Sequence, residues 1–371
     1  MAGGYSLKDQ LFNAEKVGYL AGLFRAVDPG FDPGFEGNCL RRFPDLELKQ
    51  RIAWIAECLG PALPADFPAA AAMIEAALPP PLDPTRTDDD FGDFIFAPLG
   101  DYAVIHGLEH HRTRALDLLE ALTQRFSMEY AIRHFINRWP DETFDRFGAW
   151  AGHPNYHVRR LVSEGSRPKL PWGAGIATDP ARPLPLLDRL HGDPARFVTR
   201  SVANHLNDLS KIDAAPVLAT LIRWREEGRQ DRRELDWMTR HALRDLVKKG
   251  HSGALTLLGY RVEGHIEAEL ALPGTARIGE RLDFAVTLRC DEDLPVLVDY
   301  VMRCPRPGGK ERVKVHRLKM ARLGAGRPLT LTKSHRLPAD ASTYRLHPGP
   351  HRIAIQVNGR IRATGTVTLT D

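Results

Sequence analysis

The stretch WAGHPNYHVRRLVSEGSRPKLPWG sets one carboxylate, Glu164, among Arg159, Arg160, Arg167 and Lys169, and follows it with Trp172. The spacing predicts a single helix through Glu164, closed by Gly165, Pro168 and Pro171, so that Trp172 falls in a turn. A carboxylate among cations beside an exposed aromatic points to acid chemistry. Glu129, in FSMEYAIR, is a second candidate acid. Each feature also has a plain structural reading: Arg160 and Glu164 at i, i+4 form an ordinary helical ion pair, Trp172 plugs a core between repeats, and Glu129 suits a helix's first turn.

Other chemistries lack their residues. No GxGxxG follows a strand, and GxxxxGK, GxSxG and HExxH are absent, which disfavours cofactor-driven redox chemistry, phosphoryl transfer and zinc hydrolysis. HGLEHH places His106 and His110 at chelating i, i+4 spacing, and His153 and His157 form another pair. Neither has a convincing third ligand, so no metal and no cofactor is expected. Cys39, Cys58, Cys290 and Cys304 show no CxxC pattern and fit reduced thiols in a cytoplasm. The N-terminus lacks a basic stretch followed by an apolar one, and no later run reaches the roughly 18 apolar residues of a span. The expectation is a cytoplasmic protein that is neither exported nor membrane-embedded.

The elements that position these residues change character near residue 258. Of the 371 residues, 43% are hydrophobic and 26% charged, enough for two or three globular domains. Before residue 258 apolar residues recur at helical spacing, as in Leu235, Met238, Ala242 and Leu246. YHVRRLVSEGS, RFVTRSVANHL and DWMTRHALRDL align without gaps at a period of 40, bringing Val158, Val198 and Met238 into register, then Arg160, Arg200 and Arg240, then Val162, Val202 and Ala242. This is the pattern of a HEAT-like helical-repeat solenoid, whose units bury their apolar faces only by stacking. Degenerate copies carry Arg51 and Arg133. The irregular region before about residue 105, with tandem DPGF and the acidic TDDDFGD, reads as short helices and loops capping the solenoid.

After residue 258, alternation takes over. HIEAELAL, RLDFAVTL, PVLVDYVM, ERVKVHRL, PLTLTKSH, HRIAIQV and ATGTVTLT read as seven strands, with PGTARIGE and PRPGGK as turns and Asn358-Gly359 as a hairpin signal. The prediction is a helical-repeat domain over residues 1–257 and an immunoglobulin-like β-sandwich over 258–371, lacking the Cys…Trp…Cys hallmark of antibody domains. Charge divides along the same line. From residue 261 onward 19 Lys and Arg face 12 Asp and Glu, whereas residues 1–260 carry 32 against 35. The basic excess, clustered between Arg303 and Arg362, suits either a polyanion-facing surface or a solvated sheet face. Alternation in ERVKVHRLK places its charges mainly on one face.

FSMEYAIRHFINRWP, WAGHPNYHVRRLVSEGSRPKLPWG, SVANHLNDLSK and HALRDLVKKGH resemble the AlkC branch of the DNA alkylation-repair glycosylases, built from HEAT-like repeats. The resemblance covers most of residues 1–258, and some members carry a C-terminal immunoglobulin-like domain. It implies removal of 3-methyladenine and 3-methylcytosine from alkylated double-stranded DNA without flipping the base. By resemblance, Glu164 is the principal catalytic carboxylate, Glu129 the second acid, Trp172 the aromatic packing on the sugar or lesion, and Asp208 a weaker charge stabiliser. Arg159, Arg160, Arg167, Lys169, Arg200 and Lys211 are then expected at phosphates, although Arg160, Arg200 and Arg240 equally suit a structural ladder between repeats. In the sandwich, Arg303, Arg306, Lys310, Arg312, Lys314, Arg317 and Lys319 are the expected DNA contacts. Such a clamp needs no obligate protein partner and works as a monomer. Two other classes remain open: a non-enzymatic scaffold binding protein or nucleic acid, and a nucleoside hydrolase with a closed pocket.

Overall fold

A computed structural model describes residues 6–88, 90–309, 311–340 and 344–371. They form two compact units, residues 1–212 with 223–242, and residues 213–222 with 243–371. Helices α1 (Leu7–Leu11), α2 (Ala14–Val27), α3 (Phe35–Arg42), α4 (Leu48–Ala62), α5 (Phe67–Ala77), α6 (Ala97–Gly107) and α7 (Arg112–Thr123) make up the N-terminal part of the first unit. Their starts are written in the sequence. Asn13 and Asp66 accept hydrogen bonds from free backbone N–H groups, and Glu47 with Gln50 forms a reciprocal capping box.

Beyond these lie α8 (Ile132–Arg138), α9 (Pro140–Trp150), α10 (Tyr156–Gly165), α11 (Leu184–Leu190), α12 (Arg196–Ser210), α13 (Ala214–Glu227) and α14 (Arg232–Ala242). The 40-residue register corresponds to α10, α12 and α14, and α12 packs against each of the other two. Val158, Val198 and Met238 are fully buried, as are Val162, Val202 and Ala242. Removing these apolar faces from water is what holds such repeats together. No helix among the described residues is long and apolar enough to cross a membrane.

In the second unit, α15 (Arg244–Lys248) and α16 (Ser252–Leu257) precede eight strands. Strands β1 (Glu267–Ala271), β3 (Arg281–Arg289) and β6 (Leu329–Arg336) form one sheet in the order β1-β3-β6. A five-stranded sheet has the order β2-β8-β7-β4-β5, from β2 (Thr275–Arg277), β8 (Arg360–Thr370), β7 (Gly349–Val357), β4 (Leu294–Pro305) and β5 (Glu311–Leu323). Val286, Leu288, Val298, Tyr300, Ile353, Ile355 and Val367 lie in the core between them. All seven expected strands are present. The addition is β2, three residues inside PGTARIGE, which pairs in parallel with β8. Three residues are too few for alternation to register.

Asn358 and Gly359 close the β7–β8 hairpin with φ of 46° and 82°, both left-handed as a type I′ turn requires. A side chain on Gly359 would strike Leu255 and Gly250, so the turn is packed tightly against the α15–α16 segment. Gln356 donates to the carbonyl of Lys248 in that segment. The two short helices thus pack with the sandwich, although their composition is helical.

Candidate active site

Glu164 is aimed by three elements. Asn155 caps α10, accepting from the His157 N–H, and Val158, Leu161 and Val162 bury its apolar face. At the last residue of the helix, Gly165, a Cβ would lie 2.5 Å from Ile132 Cγ2 on α8, so the close approach of the two helices calls for glycine. Glu164 itself is only 5% exposed. Ser201 Oγ of α12 donates to its Oε2 at 2.6 Å, Arg167 Nη1 donates to its Oε1 at 2.5 Å, and Arg160 Nη2 lies 3.7 Å away. Burial pushes this carboxyl upward in pKa, but Arg160 and Arg167, with the hydrogen bonds from Ser201 and Arg167, outweigh it and hold it below the ordinary value.

Glu129 and Asp208 extend the arrangement. Just before α8, Ser127 Oγ donates to Glu129 Oε2 at 2.7 Å and Arg160 Nη1 donates to the same oxygen at 3.0 Å. On α12, Asp208 accepts from Arg167 Nε at 2.9 Å and pairs with Lys211 at 3.2 Å. The side chains alternate in sign as Glu129, Arg160, Glu164, Arg167, Asp208. All five are buried, so each charge depends on its neighbours for solvation. They line a cleft of about 280 Å³ with Phe91, Tyr130, Phe197, Arg200 and Ser201, except Asp208, which sits behind Arg167. Burial, followed by the Glu129 and Glu164 charges, pushes the Tyr130 hydroxyl up to about 12. Burial holds His205 neutral, near 4, while its Nδ1 meets the Ser163 carbonyl at 3.0 Å.

Arg133 is the positioning residue whose role the sequence did not disclose. It is 1% exposed and donates to the carbonyls of Gly165 and Arg167, each at 2.9 Å, and to that of Ala174. One guanidinium thereby ties the end of α10 to the loop carrying Trp172. The loop holds Trp172 at φ 67°, an unfavourable conformation for a bulky residue, and leaves it 59% exposed. Trp172 lines an adjoining apolar cleft with Phe94, Phe126, Met128 and Tyr130, so Tyr130 is shared by both clefts.

Residues 267–371 match a domain family described as the C-terminal Ig-like domain of the uncharacterised protein YhaZ. The chain is 29% identical over 360 residues to the uncharacterized protein YhaZ of Bacillus subtilis (strain 168), covering 95% of this chain and 96% of that one. The solved structure of Pseudomonas fluorescens alkylpurine DNA glycosylase AlkC, bound to DNA containing an abasic site analog, superposes with a TM-score of 0.86 at 31% identity, covering 99% of this chain and all of that one. The chain belongs to the AlkC family. Its architecture is the HEAT-like helical repeat followed by an immunoglobulin-like sandwich.

Several residues expected at phosphates in this AlkC-family chain are occupied internally. Arg159 is bidentate with Asp193 and donates to the carbonyls of His153 and Pro154, joining the starts of two repeats. Arg160 and Arg167 belong to the charge ladder. Arg200 lines the cleft and pairs with Asp88 at 2.7 Å. Lys169 is exposed on the loop after α10. The repeat-equivalent arginines differ in depth: Arg160 is buried, Arg200 half-buried and Arg240 exposed.

In the sandwich, Arg306, Lys314 and Lys319 are exposed, Arg303 pairs with Glu311 at 3.3 Å, and Arg312 lies 3.7 Å from the Tyr344 ring. Arg317 donates to Asp299, whose side chain is 1% exposed. Lys310 lies outside the described residues. The charges of β5 lie mainly on one face, as alternation suggested: Arg312, Lys314 and Lys319 share the core-facing side of the sheet, and Arg317 lies on the other. Arg317 stands opposite Asp299 in the same register that sets Arg312 opposite Cys304 and Lys314 opposite Met302, and the register shift at Val298/Asp299 then brings Lys319 opposite Val298. Among the described residues no group of three or more His, Cys, Asp or Glu is arranged to hold a metal ion.

Proposed function

We propose that this chain is a DNA glycosylase that hydrolyses the N-glycosidic bond of cationic N3-alkylated bases, 3-methyladenine and 3-methylcytosine, in duplex DNA. The observation that carries the reading is the buried carboxylate pair Glu129 and Glu164 on one cleft wall, in a chain of the AlkC family. A base alkylated at N3 is positively charged, so its bond to the sugar is already weakened. Catalysis then requires negative charge beside an oxocarbenium-like sugar and a water to capture it.

Glu164 suits the fixed charge, because both oxygens are held and the group stays ionised at neutral pH. Glu129 suits the water. Its Oε2 is engaged, whereas Oε1 carries no hydrogen bond among the described residues. Water adds hydroxide to the anomeric carbon, the bonding electrons leave with the base and neutralise it, and Glu129 takes the proton. The Arg160 and Arg167 guanidiniums are engaged by the carboxylates, which limits their use in reading the edge of a flipped base and favours action on the sugar with the base left unflipped. Lys169 suits a nearby phosphate, and the exposed cations of the sandwich suit salt-sensitive affinity. One chain supplies all of these groups, and none of the steps draws on a cofactor.

The test is single-turnover release of free base from dimethyl-sulfate-treated duplex at fixed salt. Wild type should release 3-methyladenine or 3-methylcytosine, and Glu164→Gln should lose roughly 10²- to 10³-fold in rate with DNA binding retained. DNA binding by wild type without release would support the scaffold instead.

A further inference from the structure

The carboxylate cleft has an exposed aromatic wall. Phe91 lines it together with Glu129 and Glu164 and is 44% exposed. Its ring meets Phe197 edge-on at 5.1 Å, with the Arg160 guanidinium 5.4 Å from its centre. The surrounding loop is pinned on both sides. The Phe197 N–H donates to the Thr87 carbonyl at 2.8 Å, and Arg200 holds Asp88. Gly92 bridges to Phe126 at φ 77°, where a Cβ would fall 1.8 Å from the Arg125 carbonyl oxygen. Among the described residues nearby, Asp90 has Arg86 at 3.9 Å and Asp93 has Lys16 at 2.5 Å. The loop thus presents an aromatic ring to the cleft.

Resting on the glycosylase reading, we infer that Phe91 is the surface against which the damaged base stacks while the carboxylates act on its sugar. The ligand is a planar, positively charged N-alkylated base within duplex DNA. An electron-poor ring stacks well on an aromatic face, and the two carboxylates beside Phe91 favour its charge. Stacking of this kind has the ring enter at a partly unstacked, kinked base step, as apolar wedges do, with the base kept within the duplex. Trp172, facing the neighbouring apolar cleft, does not supply this wall.

The experiment compares wild type with Phe91→Ala, Phe91→Leu and Phe91→Trp on a duplex carrying a single 3-methylcytosine. It reads single-turnover release, affinity for that duplex and for its unmodified counterpart, and thermal midpoint. Phe91→Ala should lose roughly five- to hundred-fold in release and in preference for the alkylated duplex, and Phe91→Trp should stay within about three-fold of wild type. Phe91→Leu, which keeps apolar bulk without the aromatic face, should resemble Phe91→Ala while its midpoint and unmodified-duplex affinity match wild type. Wild-type behaviour of Phe91→Leu would overturn the inference, as would losses that track the midpoint or unmodified binding. If wild type prefers the alkylated duplex but releases no base, the glycosylase reading fails, and the leucine variant's preference still judges Phe91. Absence of any such preference in wild type overturns the role of Phe91 outright.

Discussion

The carboxylate cleft and the basic sandwich use the same residue types in opposite ways. In the cleft, Arg160 and Arg167 are buried and each touches two carboxylates, so their charge is spent on holding acids in place. On the sandwich, Arg306, Lys314 and Lys319 are exposed, and their charge projects into solvent. The contrast separates a buried cation that builds a site from an exposed one that supplies a field. Composition counts both alike. A buried guanidinium is fixed to within one hydrogen-bond geometry, whereas an exposed cation acts over a Debye length and weakens with salt.

The largest expected effect breaks the ladder at its centre. Arg160→Met keeps the side chain's bulk but leaves buried Glu129 without its cation and Glu164 with Arg167 alone, and should cost about 3–5 kcal/mol of stability. Thermal unfolding measures it, and a fall in midpoint no larger than that of Arg240→Met, the exposed repeat equivalent, would show that the ladder is not structural. A smaller effect lies in pH. Because the folded pKa of Glu164 is depressed below 4.5, its contribution is complete above that value and fades as pH falls through the folded value. Stability of wild type and Glu164→Gln should therefore converge in acid, below pH 4.5, and stay apart at neutrality. Parallel curves across that window would count against an ionised Glu164.

The repeat and the sandwich were legible because both follow from burial periodicity. Val158, Val198 and Met238 recur at 40 residues and all reach the core, and strand alternation located seven segments. The family resemblance named Glu129 and Glu164, and packing then set them on one cleft wall, 35 positions apart in sequence. What stayed hidden depends on partners far along the chain. Nothing local shows that Arg133 caps carbonyls at 165, 167 and 174, or that Phe91, within an acidic loop, lies against Phe197. An isolated aromatic followed by glycine in TDDDFGD was the available signal, and it indicated a loop without saying what the loop faces. The β5 register shift was equally silent, because alternation cannot reveal one extra residue on one strand.

The smallest expected effect tests the sandwich half of the contrast. If its exposed cations meet phosphates, replacing Arg306, Lys314 and Lys319 by Gln should flatten the plot of log affinity against log salt by about 0.9 for each phosphate contact removed. Base release at low salt and saturating enzyme should stay near wild type, because the carboxylates are untouched. Arg317→Gln is the internal comparison. Its guanidinium already neutralises Asp299, whose pKa is raised by burial and brought partly back by Arg317. Its loss should lower the thermal midpoint while changing the salt slope little. A reversed outcome, with Arg317→Gln flattening the slope and the triple variant leaving it intact, would move the DNA-facing role from Arg306, Lys314 and Lys319 to Arg317, whose pairing with buried Asp299 leaves it partly exposed.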